Sequence, residues 1–166
     1  MDSKEKEQQF LNLMEEHKDQ VYRICWGFSK RVAEVEDLFQ EVMLRLWKNM
    51  GGFRGEAQRS TWVYRITVNT CIYWKKKHQS KNWEDLAASP EIETQGNAET
   101  MMLLNERVLQ LKAAIQQLNK LDKTIALLLL EELSYKEIAA ITGLPVNNVG
   151  VKINRIKSKL KKMLQK

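Results

Sequence analysis

Three groups of side chains could carry whatever chemistry this chain of 166 residues performs. The first lies near the end. From Pro145 to Lys166 there are seven Lys or Arg and no Asp or Glu. Lys152, Arg155, Lys159 and Lys162 recur at helical spacing, and Asn147, Asn148 and Asn154 lie on or near the same side. Cationic side chains grip phosphates, and amide side chains read base edges. The second group is Trp62, Tyr64, Tyr73 and Trp74 interleaved with Arg65 and with Lys75, Lys76 and Lys77. Aromatic rings stack on unpaired bases while cations follow the phosphates. A plain helix would instead bury Trp62, Ile66 and Cys71 and solvate its end with lysines, which also suit the macrodipole. At Trp62 and Ile66 both burial and function are expected. The third group is Asp37, Gln40 and Glu41, spaced three and four so that they share a helix face. By residue type alone, that trio is a solvated acidic face.

Other chemistries find no support in the residues. There is no glycine-rich phosphate loop and no nucleophile–base arrangement, so an enzyme is not expected. Cys25 and Cys71 lie in helical patterns without a C-x-x-C partner, and His17 and His78 are equally isolated. Closely spaced ligand pairs mark zinc sites, so no metal or other cofactor is expected and the thiols read as buried. No apolar run approaches a membrane span. The N-terminus is charged and lacks a signal-peptide apolar core, so cytoplasmic residence without membrane insertion is the expectation.

The elements that must position these groups are helices. Seven Gly and two Pro among 166 residues, with 43% apolar content, predict an all-α protein with packed cores. Residues 4–16 and 19–30 read as two amphipathic helices, the second capped by Asp19. The next helix turns Val35, Leu38, Phe39, Val42, Leu46 and Trp47 inward. Residues 51–60, with three glycines and two arginines, form a loop. Ser60 or Thr61 then caps the aromatic helix. Residues 80–97 lose the helical period and contain Pro90 and Gly96, which reads as a linker longer than most connections within a domain. Beyond it, Met101, Leu104, Val108, Leu111, Ile115 and Leu118 form a narrow apolar seam, and Asp122 caps a helix apolar almost all round.

Residues 134–160 read as two helices with a tight turn. Ser134 and Glu137 form a capping box, Ile138, Ala139 and Ile141 supply an apolar side, and Gly143 ends the first helix. Pro145 prevents simple continuation, and Asn147 or Asn148 caps a second helix with Val149, Ile153, Ile156, Leu160 and Met163 inward. This is a helix-turn-helix, whose second helix suits a DNA major groove. The predicted architecture is therefore two small helical domains, residues 1–80 and 100–166, joined by a linker over 81–99. Charge follows that division. The front carries 14 basic and 11 acidic side chains, the linker one and five, and the rear 12 and five, for a net +6.

Together these stretches resemble one family, the extracytoplasmic-function sigma factors, small promoter-recognition subunits of bacterial RNA polymerase. The sequence VEDLFQEVMLRLW resembles the region 2 helix, FRGEAQRSTWVYRITVNT the loop and helix after it, and LSYKEIAAITGLPVNNVGVKINRIKSKL the region 4 reader. The resemblance covers about residues 5–80 and 105–164. It implies a transcription initiation factor that joins core polymerase and directs it to promoters. Asp37, Gln40 and Glu41 would dock on the clamp helices of the largest subunit, with the flap as a further contact. The loop bearing Arg54, Gly55, Glu56, Arg59 and Ser60 would capture a base flipped from the −10 element. Trp62, Arg65 and Asn69 would approach the melting junction, with Tyr73, Lys76 and Lys77 on the same DNA. Asn147, Asn148, Gly150, Val151, Lys152, Asn154, Arg155 and Lys159 would lie on the −35 element. The acidic linker resembles the segment that passes through the polymerase near the RNA path. An anti-sigma factor is an implied partner.

The chain departs from the family pattern at a few positions. The family often has Thr, a basic residue and Ser where this chain has Asn148, Gly150 and Val151, and a common Asp is Tyr73 here. Gly150 early in the second helix is read as allowing close approach to the DNA backbone. The competing reading is a stand-alone helix-turn-helix regulator whose first 80 residues sense or dimerise.

Overall fold

A computed structural model of the chain describes residues 2–53, 58–79 and 98–165. The expectations for Arg54, Gly55 and Glu56, and for residues 81–97 of the linker, lie outside the described residues, while residues 98 and 99, expected in the linker, are helical. The chain divides into two compact units, residues 1–90 and 91–166, and the described residues contain helices and no strand.

The first unit packs three helices pairwise: α1 (Ser3–Phe28), α2 (Val32–Asn49) and α3 (Arg59–Gln79), with a 3-10 turn at Met50–Gly52. Where two opening helices were expected, α1 is continuous, and Asp19 sits exposed in its middle rather than at a cap. No Gly or Pro breaks residues 15–20, and one Asp inside a helix costs only a few tenths of a kcal/mol. The apolar stripe also carries through. Leu13, Val21, Ile24 and Phe28 are buried, with His17 half-buried between the first two.

Helix α2 buries Val35, Leu38, Val42 and Leu46. Phe39 and Trp47 are only half-buried and meet other rings edge-on. Phe39 meets Tyr22 at 5.5 Å between centroids, and Trp47 meets Phe10 at 5.3 Å with the Lys6 ammonium over its ring at 4.4 Å. Helix α3 begins before the expected cap. The Trp62 amide donates to the Gln58 carbonyl at 3.1 Å, so Ser60 and Thr61 lie inside the first turn. Its buried hydroxyls donate back along the helix, Thr67 to the Val63 carbonyl and Thr70 to that of Ile66, which satisfies them inside the core.

The second unit contains α4 (Ala98–Gln116), α5 (Lys120–Leu130), α6 (Tyr135–Thr142) and α7 (Val146–Leu164). Helix α5 buries residues on every side of its middle, from Thr124 to Leu128, and forms the centre of this core. Its cap is Asn119, not Asp122. The Asn119 side-chain oxygen accepts from the Asp122 amide at 2.9 Å, while its nitrogen donates to the Asp122 carboxylate at 3.2 Å. Helix α6 has the full capping box: the Ser134 hydroxyl accepts from the Glu137 amide and the Ser134 amide donates to the Glu137 carboxylate.

Gly143 ends α6 with φ +80°, its amide donating to the Ala139 carbonyl at 2.8 Å. Helix α7 starts directly after Pro145, whose extended backbone occupies the cap position, so Asn147 and Asn148 fall in the first turn and do not cap. Their amides stay on the surface.

Candidate nucleic-acid interface

In the first unit α3 presents one long face. Arg65, Asn69, Tyr73 and Lys76 are exposed and Trp62 is half-buried at its start. Their spacings of three and four put them on one side, opposite the buried Val63, Thr67, Val68 and Cys71. Trp62 leans on Phe53 with ring centroids 5.4 Å apart, which anchors the residue after the 3-10 turn to α3. Arg59, Lys77 and half-buried Ser60 flank this face. Tyr73, 52% exposed, is its most open ring.

The lysines that read alike in sequence separate here. Lys76 and Lys77 are exposed, but Lys75 turns to Glu34 on α2 with an ion pair of 3.2 Å. Burial lowers the Lys75 pKa, partly countered by Glu34. Burial works to raise the Glu34 carboxyl, but the Lys30 amide at 2.7 Å and the Lys75 ammonium outweigh it and hold the group below its ordinary value. Glu34 therefore ties the end of α3 to the turn before α2. This pair was not legible in sequence, because its members are 41 positions apart.

On α2, Asp37 and Gln40 are exposed and Glu41 is half-buried, on the side away from the buried stripe. Glu41 pairs with Arg45 one turn on, at 3.3 Å. The spacing of four predicts such a pair. It does not predict that the Arg45 guanidinium lies over the Tyr73 ring at 4.9 Å, which joins the edge of the acidic face to the edge of the α3 face.

Cys25 and Cys71 are both buried free thiols, and burial raises the Cys71 pKa well above its ordinary value with a further push from Cys25. A thiol so held is unreactive. Among the described residues no group of three or more His, Cys, Asp or Glu could hold a metal ion, and no helix is long and apolar enough to cross a membrane.

In the second unit Val149, Ile153 and Ile156 seat α7 on its neighbours. Asn147, Asn148, Val151, Asn154, Arg155 and Lys159 are exposed, and Gly150 is half-buried. Lys152 is half-buried, and its ammonium pairs with Asp122 at the start of α5, at 3.4 Å. The two line a shallow groove with Arg155, Lys159 and Lys162. A Cβ on Gly150 would meet ring carbons of Tyr135 at 3.7 and 3.8 Å, so this glycine faces α6 at ordinary packing distance.

A helical unit with an aromatic and basic face, followed in the same chain by a capped helix-turn-helix with a cationic second helix, defines an all-helical nucleic-acid-binding protein in two parts. The Sigma-70 region 2 family matches residues 13–81, and the Sigma-70 region 4 family matches residues 109–160. The chain is 31% identical to the ECF RNA polymerase sigma-E factor of Escherichia coli K12 over 146 residues, 80% of this chain and 75% of that one. It is 29% identical to the ECF RNA polymerase sigma factor SigW of Bacillus subtilis, over 94% of this chain and 89% of that one. Two solved structures share its fold at TM-score 0.70: CnrH in complex with the cytosolic domain of CnrY, at 19% identity over 96% of this chain and 89% of that one, and RpoE in complex with the anti-sigma factor NepR from Bartonella quintana, at 17% identity over 96% of each. The chain belongs to the ECF RNA polymerase sigma factors and is by that membership a transcription initiation factor. A sensing or dimerisation role for the first unit is not favoured, because the region 2 match occupies it.

Proposed function

We propose that this factor binds core RNA polymerase through residues 1–80 and finds the upstream promoter element through residues 100–166, with residues 81–99 as the tether. Asp37, Gln40 and Glu41 dock on the clamp helices of the largest subunit, and the second unit meets the flap. Arg54, Gly55, Glu56, Arg59 and Ser60 receive a base flipped from the −10 element. Trp62, Arg65, Asn69, Tyr73, Lys76 and Lys77 hold the adjoining strand. Unstacking a base costs a few kcal/mol, which ring stacking and phosphate contacts can recover without any covalent step. The second helix of the rear unit, with Asn147, Asn148, Gly150, Val151, Lys152, Asn154, Arg155 and Lys159, takes the −35 element.

The observation that carries this reading is that membership of the family coincides with an α2 whose buried stripe leaves Asp37 and Gln40 on the surface. Work on polymerase and promoter places the factor in the cytoplasm. CnrH and RpoE are each held by a partner, CnrY and the anti-sigma factor NepR. By that likeness an anti-sigma factor is proposed here too.

The test is transcription in vitro with core polymerase on a genomic fragment library. Start sites that depend on this chain are expected, and their loss is expected when Gln40→Ala and Glu41→Ala are combined, with helical content retained by circular dichroism. Full core binding by that double variant would refute the docking face.

A further inference from the structure

Helix α7 divides into strips. Val149, Ile153 and Ile156 are buried, and Leu160 continues their line half-buried. Asn147, Val151, Asn154 and Ser158 each stand two positions before one of these, a rotation of about 200°, so they form the strip opposite the core. All four are exposed, and Val151 is 51% exposed. None of the four is charged. Among the described residues the side-chain amides of Asn147 and Asn154 have no hydrogen-bonding partner within the chain. Cations border the strip on both sides: Arg155, Lys159 and Lys162 on one, Lys157 and Lys161 on the other, all exposed. Lys152 lies further round, drawn toward the core by Asp122.

Resting on the function proposed above, we infer that α7 reads A·T pairs in the upstream element through Asn147, Val151 and Asn154, while its lysines and Arg155 hold the two phosphate backbones. The width of the groove matches this division. A helix lying in the major groove turns one strip to the base edges and its two flanks to the strands on either side. Phosphate contacts position a protein and carry no sequence information. On the strip, a carboxamide can bond adenine at N6 and N7 together, and the valine methyls can meet the C5 methyl of thymine. The strip has no guanidinium to take guanine. The positions where this chain departs from the common family pattern thus include Val151, which sets its base preference.

The test uses full chain with core polymerase on promoters carrying a randomised upstream element, with transcripts sequenced. The expected profile favours A·T at the contacted positions. Asn147→Ala and Asn154→Ala should each lower adenine preference about tenfold at one position, and Val151→Ala should relax a thymine. Lys159→Gln should weaken initiation on all sequences alike and reduce the slope of log affinity against log salt by about 0.9. All four changes are at exposed positions, and thermal melts check that each variant folds. Initiation with a G·C preference, a profile untouched by the three strip variants, or a changed profile in Lys159→Gln would overturn the inference alone. Absence of initiation from every library member would overturn the function on which it rests.

Discussion

Arg45 on α2 holds its guanidinium 4.9 Å above the ring of Tyr73 on α3 while pairing with Glu41 on its own helix at 3.3 Å. An exposed cation–π contact is worth about 0.5–1 kcal/mol, and an exposed ion pair one helical turn apart about 0.3–0.5 kcal/mol. Arg45→Ala should therefore cost about 1 kcal/mol in urea unfolding of the first unit. A double-mutant cycle with Tyr73→Leu should return a coupling of about 0.5–1 kcal/mol. Strict additivity would show that the stacking contributes nothing in solution.

His17 fills the apolar stripe of α1, and its Nδ1 is buried without a hydrogen-bonding partner. Burial lowers its pKa from the ordinary 6.5, against the pull of Glu16 and helped by Arg59. The unfolded chain consequently takes up this proton first as the medium is acidified. The contribution of His17 is complete above pH 6.5 and declines as pH falls below it toward the folded value. Urea unfolding between pH 7.5 and 5.5 should show that decline, and His17→Leu should shallow it. An equal decline in the variant would assign it to other groups.

Among the described residues of the second unit, two adopt left-handed backbone, Gly143 at φ +80° and Glu132 at φ +61°. Such a conformation costs a residue with a Cβ about 1–2 kcal/mol. Nothing lies within 4 Å of a Cβ added to Gly143, so the penalty for Gly143→Ala is one of backbone angle alone. It should destabilise the second unit by about 1 kcal/mol, and Gly143→Asn by less. Glu132→Gly should stabilise that unit by up to about 1 kcal/mol. Thermal or urea melts followed by circular dichroism measure all three.

Gly150 tests a different balance. Its φ is ordinary for a helix, and an added methyl would touch the Tyr135 ring at van der Waals distance. Glycine inside a helix costs about 0.8–1 kcal/mol relative to alanine. Gly150→Ala should therefore stabilise the second unit by about 0.5–1 kcal/mol. Promoter affinity measured with the holoenzyme then separates the two roles: a drop despite the gain in stability would favour close approach to the DNA backbone, and unchanged affinity would leave Gly150 as a packing residue against Tyr135.

The Ser134–Glu137 box, the glycine stop at 143 and the apolar stripe of α7 were legible in the sequence because each depends on residues within one or two turns of one another. Local periodicity also gave the inward face of α2, and spacing interleaved aromatic and basic residues along α3. Boundaries were less legible. Asp19 and Asp122 are good caps by type, yet α1 runs through the first and Asn119 serves in place of the second. An N-cap depends on where the helix begins, and in α1 the buried stripe of Leu13, Val21, Ile24 and Phe28 runs past Asp19 without a break. The family resemblance was legible because its motifs are local stretches of sequence, each contained in one or two helices.

Only the tertiary structure separated lysines that the sequence presents as equals. Lys75 is tied to Glu34 and Lys152 to Asp122, while Lys76, Lys157, Lys159, Lys161 and Lys162 remain on the surface. It also set the Arg45 guanidinium over the ring of Tyr73, from a neighbouring helix. The difference has one physical origin. A helix repeats every 3.6 residues, so faces follow from spacing along the chain. Which charge finds a partner across two helices follows from how those helices pack, and no local pattern encodes that.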